Sequence, residues 1–461
     1  MSLNREKILN SLANKKVFIW GARMTGIGAL RQLNKRQIKV LNFIDSDDAL
    51  HGKFVHGLKV YHPNHLIELS EKHNDATILI AVSLKENEIL KQLQELKINN
   101  LSVVSFFDET APYYTIDILG SCNLKCPSCP HSIIETEVPK GSMTIETFKS
   151  VFNKIIRDTP SVSHISLYSW GEPFLHPYLD KIIDYVHEKN VAVALSSNLS
   201  IKFGDRIEKI IKSNPDYLKV SLSGFYPEAY NNTHAGGDIN LVKTNLILIR
   251  SLLDKYKAKT LIDINYHLYK DNSGENLKQM EKFAKDHGFI ISKTYALVMP
   301  LERVISHLEG NPDLQTKQLE NNLLVTIDEG IKASSKFALP KNSCPFRENQ
   351  ININSDLTVP VCCVVWERDK NIVAQNFLKS NLNEINLNKK QVELCNKCMS
   401  LNLPEYNMGF NKKEWEKYAS KKNSYRHRSK LNYIKNIYFF ILLLFINQNL
   451  LELMGGLASQ E

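Results

Sequence analysis

From Tyr114 onward the chain repeats one unit, a short apolar strand-like run followed by a stretch of helical periodicity. The runs fall at 115–119, 164–169, 191–196, 217–223, 260–268 and 289–298. Between them apolar residues recur at helical spacing, as in Phe148, Phe152 and Ile155, or Leu277, Met280 and Ala284. Strands that alternate with helices pair in parallel, because each crossover brings the chain back in the same direction. Six such repeats within residues 111–310 predict a partial (β/α)6 TIM-type barrel. A full eightfold barrel takes about 250 residues.

Residues 1–110 read as a separate α/β module. A buried-type strand, Val17 to Trp20, leads into Gly21-Ala-Arg-Met-Thr-Gly26, then a helical stretch and a second strand, Val40 to Ile44, ending at Asp45. A third strand follows at Thr77 to Val82. This order predicts a Rossmann-like domain. Gly21, Gly26 and Asp45 are its candidate nucleotide or sugar-nucleotide contacts, Asp45 standing where a ribose-binding acid is expected. Arg23 occupies the slot through which pyrophosphate approaches the backbone, so a degenerate assembly domain is the alternative.

The first barrel strand runs into Gly120-Ser-Cys122-Asn-Leu-Lys-Cys126-Pro-Ser-Cys129-Pro. Thiolates spaced C-x3-C-x2-C in one loop can converge on one face of a [4Fe–4S] cube and leave one iron open to an outside chelating ligand. Barrel enzymes keep their chemistry in the loops after the strands. A structural zinc knuckle is the alternative, with His131 as the near fourth ligand. The polar N-terminus and the clustering of the eight cysteines suit metal ligation in the cytoplasm rather than disulfides.

The loop resembles that of the radical S-adenosylmethionine (SAM) superfamily, with Ser128 where an aromatic residue is common. The resemblance implies that Cys122, Cys126 and Cys129 hold a cluster whose open iron binds the amino and carboxylate groups of SAM. Reductive cleavage then gives a 5′-deoxyadenosyl radical, and a donor such as flavodoxin or ferredoxin supplies the electron. Gly171-Glu172-Pro173 resembles the family's Gly-Gly-Glu-Pro turn, with Trp170 in the first glycine's place. Ser197 and Asn198 stand where Thr-Asn-Gly is frequent. Ser221 and Ser223, in a Ser-Leu-Ser-Gly run, resemble Ser-Leu-Asp-Gly. These residues are the implied SAM contacts. Asn265 and His267 share a face of the fifth strand and are candidate substrate contacts, with a hydrogen-bonded structural histidine as the alternative.

Over 335–405 a second set appears, Cys344 and Cys362, then Cys395 and Cys398. Four thiolates suit one closed cluster, and structural zinc equally. Ile351 to Val359 alternates like a hairpin with its turn near Ser355-Asp356. The region resembles the SPASM auxiliary-cluster domain in its one-cluster twitch form, which implies a second [4Fe–4S]. Cys363 is surplus. It is a structural thiol, a substitute ligand, or a hydrogen-atom donor in catalysis, and strand alternation points it away from Cys362.

The net charge of +9 is concentrated in the tail at 406–461, where Asn411 to Lys430 holds eight Lys/Arg against two Glu. A general nucleic-acid-binding surface is therefore not indicated. The apolar run Ile437 to Ile446 is ten residues long, short of the roughly twenty a spanning helix needs. Behind a basic stretch it suits a helix lying at the inner face of an anionic membrane, with packing on the protein or on a subunit as alternatives. The resemblance to the aminocyclitol dehydrogenase group implies oxidation or epimerisation of a small or carrier-linked sugar. A peptide-modifying maturase and a non-enzymatic iron–sulfur carrier are the alternatives.

Overall fold

The computed structural model describes residues 5–82, 86–106, 112–132, 141–335, 339 and 343–422. The expected interfacial helix at Ile437 to Ile446 lies outside the described residues. Among the described residues no helix is long and apolar enough to cross a membrane.

The N-terminal module is one sheet of Lys16–Trp20 (β1), Lys39–Ile44 (β2), Phe54–Val55 (β3), Leu58–Tyr61 (β4), Thr77–Ile80 (β5) and Ser102–Ser105 (β6), ordered β3-β4-β2-β1-β5-β6. All pairs are parallel except the β3–β4 hairpin. Val17, Ile19 and Leu79 pack into one core, while Phe18, Trp20, Ile78 and Ile80 pack into another. Period-two alternation thus buries both faces, and the parallel strands reverse direction of winding at β1, as in an open doubly wound sheet.

The second sheet is Tyr113–Ile116 (β7), His164–Ser166 (β8), Ala192–Ser197 (β9), Tyr217–Leu222 (β10), Leu261–Leu268 (β11) and Ile290–Tyr295 (β12), the six expected repeats in order. A seventh strand, Gln350–Ile353 (β13), adds in parallel beside β7. The turn expected near Ser355-Asp356 forms, with the Asn354 N–H on Thr358 O at 2.9 Å. Its arms do not ladder together as a hairpin should. Val359–Pro360 (β14) pairs instead with Ile372–Ala374 (β15). Ile351 and Ile353 are buried in the barrel core, and Pro360 has no N–H to give a ladder, so local pairing loses to burial against β7.

Alternation decides which residues face the lumen. Val193, Leu195, Leu218, Val220, Leu222, Ile262 and Ile264 point outward into the helix-packed core. Their neighbours Ala192, Ala194, Tyr217 and Ile290 belong to the core of the N-terminal module. That module therefore closes the N-terminal mouth of the half-barrel, mostly through the helix Met24–Lys35. Arg31 Nε donates to Asp216 Oδ1 at 2.6 Å and Gln32 Nε2 to Val162 O at 3.0 Å. Gly28 is needed there, since a Cβ would stand 2.8 Å from Ser163 O. The cysteine loop follows the C-terminal end of β7, at the opposite mouth.

Candidate cluster and substrate site

Cys122, Cys126 and Cys129 follow β7 in one loop. The Cys129 N–H donates to Cys126 O at 2.8 Å, and Lys125 N–H to Ala235 O at 2.9 Å. Burial raises all three thiols; Cys129 raises Cys122 and Cys126 further, and Asp117 raises Cys129. Cys129 moves to about 11 and Cys122 to about 12, and Cys126 higher still. Buried thiols of this kind give up their protons to a bound metal rather than to solvent.

The spacing of the sulfurs tests zinc against a cluster. Zn–S bonds of about 2.3 Å place tetrahedral sulfurs ~3.8 Å apart. Among the described residues the one group of three or more His, Cys, Asp or Glu with ligand atoms within 4.8 Å is His307, Glu320 and Asp328. No three cysteine sulfurs approach that closely in either set. His131 does not join the sulfurs: its ring packs edge-on against Trp366, centroids 5.6 Å apart.

The Gly171-Glu172-Pro173 turn is held against this loop. A Cβ on Gly171 would stand 1.5 Å from Leu119 O. Glu172 is buried, and its carboxylate accepts Phe174 N–H at 3.1 Å and Asn198 N–H at 2.8 Å, with the Ser197 hydroxyl beside them. Burial outweighs these bonds and pushes it up to about 7. Pro173 opens the 3-10 turn that Glu172 caps. Asn198 Nδ2 donates to Asn123 Oδ1 at 3.0 Å and lies 3.7 Å from Cys122 Sγ. The third strand's end, the turn and the cluster loop thus form one hydrogen-bonded unit.

Ser223 is fully buried and spent on structure, bonded to Thr233 and to His234 Nδ1 at 2.9 Å. Ser221 stays half-buried on the lumen side of β10. Asn265 Nδ2 lies 3.0 Å from His267 Nε2, and burial drives His267 down to about 4, so the ring is neutral. Two residues that sequence reasoning passed over belong here. Asp117 accepts the N–H groups of Gly171, Trp170 and Leu119, and burial pushes it to about 7. Its sequence signal is a lone acid inside an apolar strand that runs into the cysteine loop. Trp366 meets Trp170 edge-to-face at 5.8 Å and had no local signal.

Cys344, Cys362, Cys395 and Cys398 also come together. Cys344, Cys395 and Cys398 each feel the charge of others of the set, and burial raises all four, second for Cys362 to its hydrogen bond with Cys363. The expected opposition of Cys362 and Cys363 does not hold. Both lie in the turn after β14, where strand alternation does not apply, and their side chains hydrogen-bond each other. A cavity of about 890 Å³ is lined by Asp117, Ser169, Trp170, Trp366, Cys362 and Cys363 among others.

The nucleotide candidates lie far from this mouth. Asp45 Oδ2 accepts Ala22 N–H at 2.8 Å, and Oδ1 accepts Asp47 N–H at 2.9 Å. Arg23 fills the slot between the modules, donating to Asp263 Oδ2 at 3.0 Å, Asp47 Oδ2 at 2.8 Å and Ser292 Oγ at 2.9 Å. Burial would lower its pKa, but Asp263 and Asp45 raise it. Gly26 is packed against Gly21 O, and Gly21 has φ +111°.

A half-barrel with three neighbouring thiols in the loop after its first strand defines a cluster-bearing class of α/β barrel. The comparisons narrow it. Residues 116–284 match the Radical SAM superfamily, and residues 13–104 match the C2185-like N-terminal family. Residues 116–284 are a radical SAM domain, a type of domain whose cofactors are a [4Fe–4S] cluster and SAM. It is 25% identical over 184 residues to the AdoMet-dependent heme synthase of Methanosarcina barkeri, covering 40% of this chain and 49% of that protein. It is 28% identical over 109 residues to the antilisterial bacteriocin subtilosin biosynthesis protein AlbA of Bacillus subtilis, covering 24% of this chain and 23% of that protein. The chain thus spans about half or less of the curated relatives it matches. Among solved structures it is similar to anSMEcpe with bound AdoMet, at 17% identity and TM-score 0.42, covering 67% of this chain and 97% of that one.

Proposed function

We propose that this chain is an oxidoreductase that removes hydrogen from a carbohydrate-type substrate held in the cavity that Trp170 and Trp366 line with Cys362 and Cys363. The observation that carries the reading is that cavity, which Asp117 and Trp170, beside the Gly-Glu-Pro turn, line together with Cys362 and Cys363. With its cofactors bound, the first site supplies a 5′-deoxyadenosyl radical, and a cluster on Cys344, Cys362, Cys395 and Cys398 a one-electron acceptor. The protein's own residues do the rest. Cys122, Cys126 and Cys129 hold the first cluster and leave one position open. Glu172 keeps free lone pairs for the ammonium of SAM while its backbone bonds fix its direction. Asp117 holds the turn by accepting three N–H groups. Trp170 and Trp366 offer apolar faces next to the amides of Asn354, Asn371 and Asn388, a mixture that suits the C–H faces and hydroxyls of a sugar. A reductant of the flavodoxin or ferredoxin type supplies the electron. The N-terminal module serves as a structural cap on the barrel, because Arg23 and the carboxylates around it take up the phosphate slot.

The test is anaerobic incubation of the reconstituted chain with SAM, reductant, and panels of sugars, sugar nucleotides and peptides, read by mass spectrometry. We expect 5′-deoxyadenosine and a sugar product lighter by two hydrogen atoms, both lost when Cys122, Cys126 and Cys129 are replaced by Ala. Conversion of a peptide and of no sugar would overturn the substrate class. An isobaric product carrying solvent deuterium would overturn oxidation in favour of epimerisation. Deoxyadenosine formation in the triple variant would overturn the reading whole.

A further inference from the structure

The auxiliary cysteines close around buried cations. Cys344 caps the helix Pro345–Asn349, which carries Arg347, and Cys395 and Cys398 sit on the helix Glu393–Ser400. On the helix between them, Leu382–Gln391, Lys389 is fully buried. Its ammonium donates to Arg347 O at 3.2 Å and to Gln350 O. The largest charges acting on it are the sulfurs of Cys362, Cys344, Cys363 and Cys395. The Arg347 side chain is buried as well, hydrogen-bonds Cys395 and meets Glu348 Oε1 at 3.4 Å. The other nearby acid, Glu405, acts on Cys398 and accepts Leu339 N–H at 3.2 Å.

Two carbonyls satisfy part of the Lys389 ammonium's hydrogen bonding, but not its charge. A buried charge without a counter-charge is strongly disfavoured, so the site is built for a group that brings negative charge with it. Four thiolates around an oxidised iron–sulfur core leave a net anion, and one-electron reduction makes it more negative. A fixed cation beside the sulfurs stabilises the reduced state more than the oxidised one, and hydrogen bonds to sulfur act in the same direction. Zinc, with no redox chemistry, would draw no such benefit.

We propose that Lys389 and Arg347 are positioning residues for electron transfer: they raise the reduction potential of the cluster on Cys344, Cys362, Cys395 and Cys398 and make it an acceptor. The proposal rests on the two-cluster reading above and explains how the second site favours oxidation over hydrogen return. The experiment is redox titration of the reconstituted full chain, followed by electron paramagnetic resonance, for wild type, Lys389→Met, Lys389→Arg and Arg347→Gln. Iron and zinc are measured on each. We expect Lys389→Met to move the auxiliary midpoint to more negative potential, with the SAM-site cluster unmoved as internal control. Lys389→Arg, which keeps the charge, should stay near wild type. If Lys389→Met loses its second cluster, Arg347→Gln decides, with the same negative shift expected. An unmoved auxiliary midpoint in a variant with full iron content overturns the role of these cations. Wild-type protein holding one cluster and a stoichiometric zinc overturns the two-cluster reading itself, and this proposal with it.

Discussion

Replacing Arg23 by Gly restores the second glycine of the fingerprint, so it separates a nucleotide slot from an interdomain clamp. The side chain gives three hydrogen bonds that cross or brace the junction, to Asp263, Asp47 and Ser292. Asp47 is 37% exposed, and such a pair contributes at most about 1 kcal/mol. Asp263 is only 1% exposed, and without Arg23 it keeps Tyr217 Oη at 2.6 Å and Ser292 Oγ at 2.9 Å but no cation. Removing one partner of a buried pair costs about 3–5 kcal/mol. Arg23 itself is 27% exposed, which places the expected loss near the lower end, about 3 kcal/mol. The measurement is urea unfolding together with amide hydrogen exchange over the helix Met24–Lys35, where the loosened interface should exchange faster. Adding Asp263→Asn should recover part of the loss, because the stranded charge is gone. Nucleotide binding by dialysis should stay absent. A variant that keeps its stability to within about 0.5 kcal/mol, or that gains dinucleotide binding at no cost in stability, would refute the clamp.

Gly171→Ala should cost the chain its cluster-loop geometry, since its Cβ would meet Leu119 O at 1.5 Å and backbone cannot step aside as a side chain would. We expect a loss of at least about 1–3 kcal/mol, as for overpacking, with reduced iron loading and deoxyadenosine formation. Gly141→Ala, with nothing within 4 Å of its Cβ, should leave both unchanged. Acid sensitivity should come partly from His164 and His234, which burial drives down to about 3. Below the ordinary histidine value of about 6.5 the unfolded chain binds protons that the folded chain refuses, so stability falls as pH drops from there toward about 3. The slope is about 1.4 kcal/mol per histidine per pH unit, and denaturation curves at about pH 7.5 and about pH 5.5 should show it flattened in His164→Phe. An unflattened slope would remove His164 from the account.

The barrel was legible because its information is local. Each strand announces itself by a run of apolar residues, and each helix by its spacing, so β7 to β12 fall where periodicity put them. Thiol spacing is equally local, and Cys122, Cys126 and Cys129 needed only one loop. What stayed hidden depends on partners distant in the chain. Gln350–Ile353 reads as half of a hairpin until β7 is there to bury Ile351 and Ile353. The assignment of Cys362 and Cys363 to opposite faces assumed a strand where the chain turns. Arg23 looked like a damaged glycine motif because Asp263 and Ser292, its partners, lie well over 200 residues away. Lys389 reads as one more lysine on a polar helix, and only the fold shows it buried among sulfurs.

The distance between the two cysteine sites is set by a part of the chain that carries no motif at all. At the start of the helix Leu301–Leu308, three consecutive residues reach both loops. Leu301 N–H donates to Val364 O at 2.8 Å, just past Cys362 and Cys363. Glu302 Oε1 accepts the N–H groups of Trp366 and Glu367, each at 2.9 Å, and fixes one of the two indoles that line the cavity. Arg303 Nη1 donates to Pro127 O at 3.0 Å, between Cys126 and Cys129. A helix turn is stiff, so these three contacts hold the Cys122–Cys129 loop and the loop after Cys363 at a fixed separation. On the function proposed above, electron transfer and hydrogen abstraction from one substrate both depend on that separation. The residues that keep it need only the right hydrogen-bonding atoms on one turn, a requirement that leaves no spacing pattern to recognise.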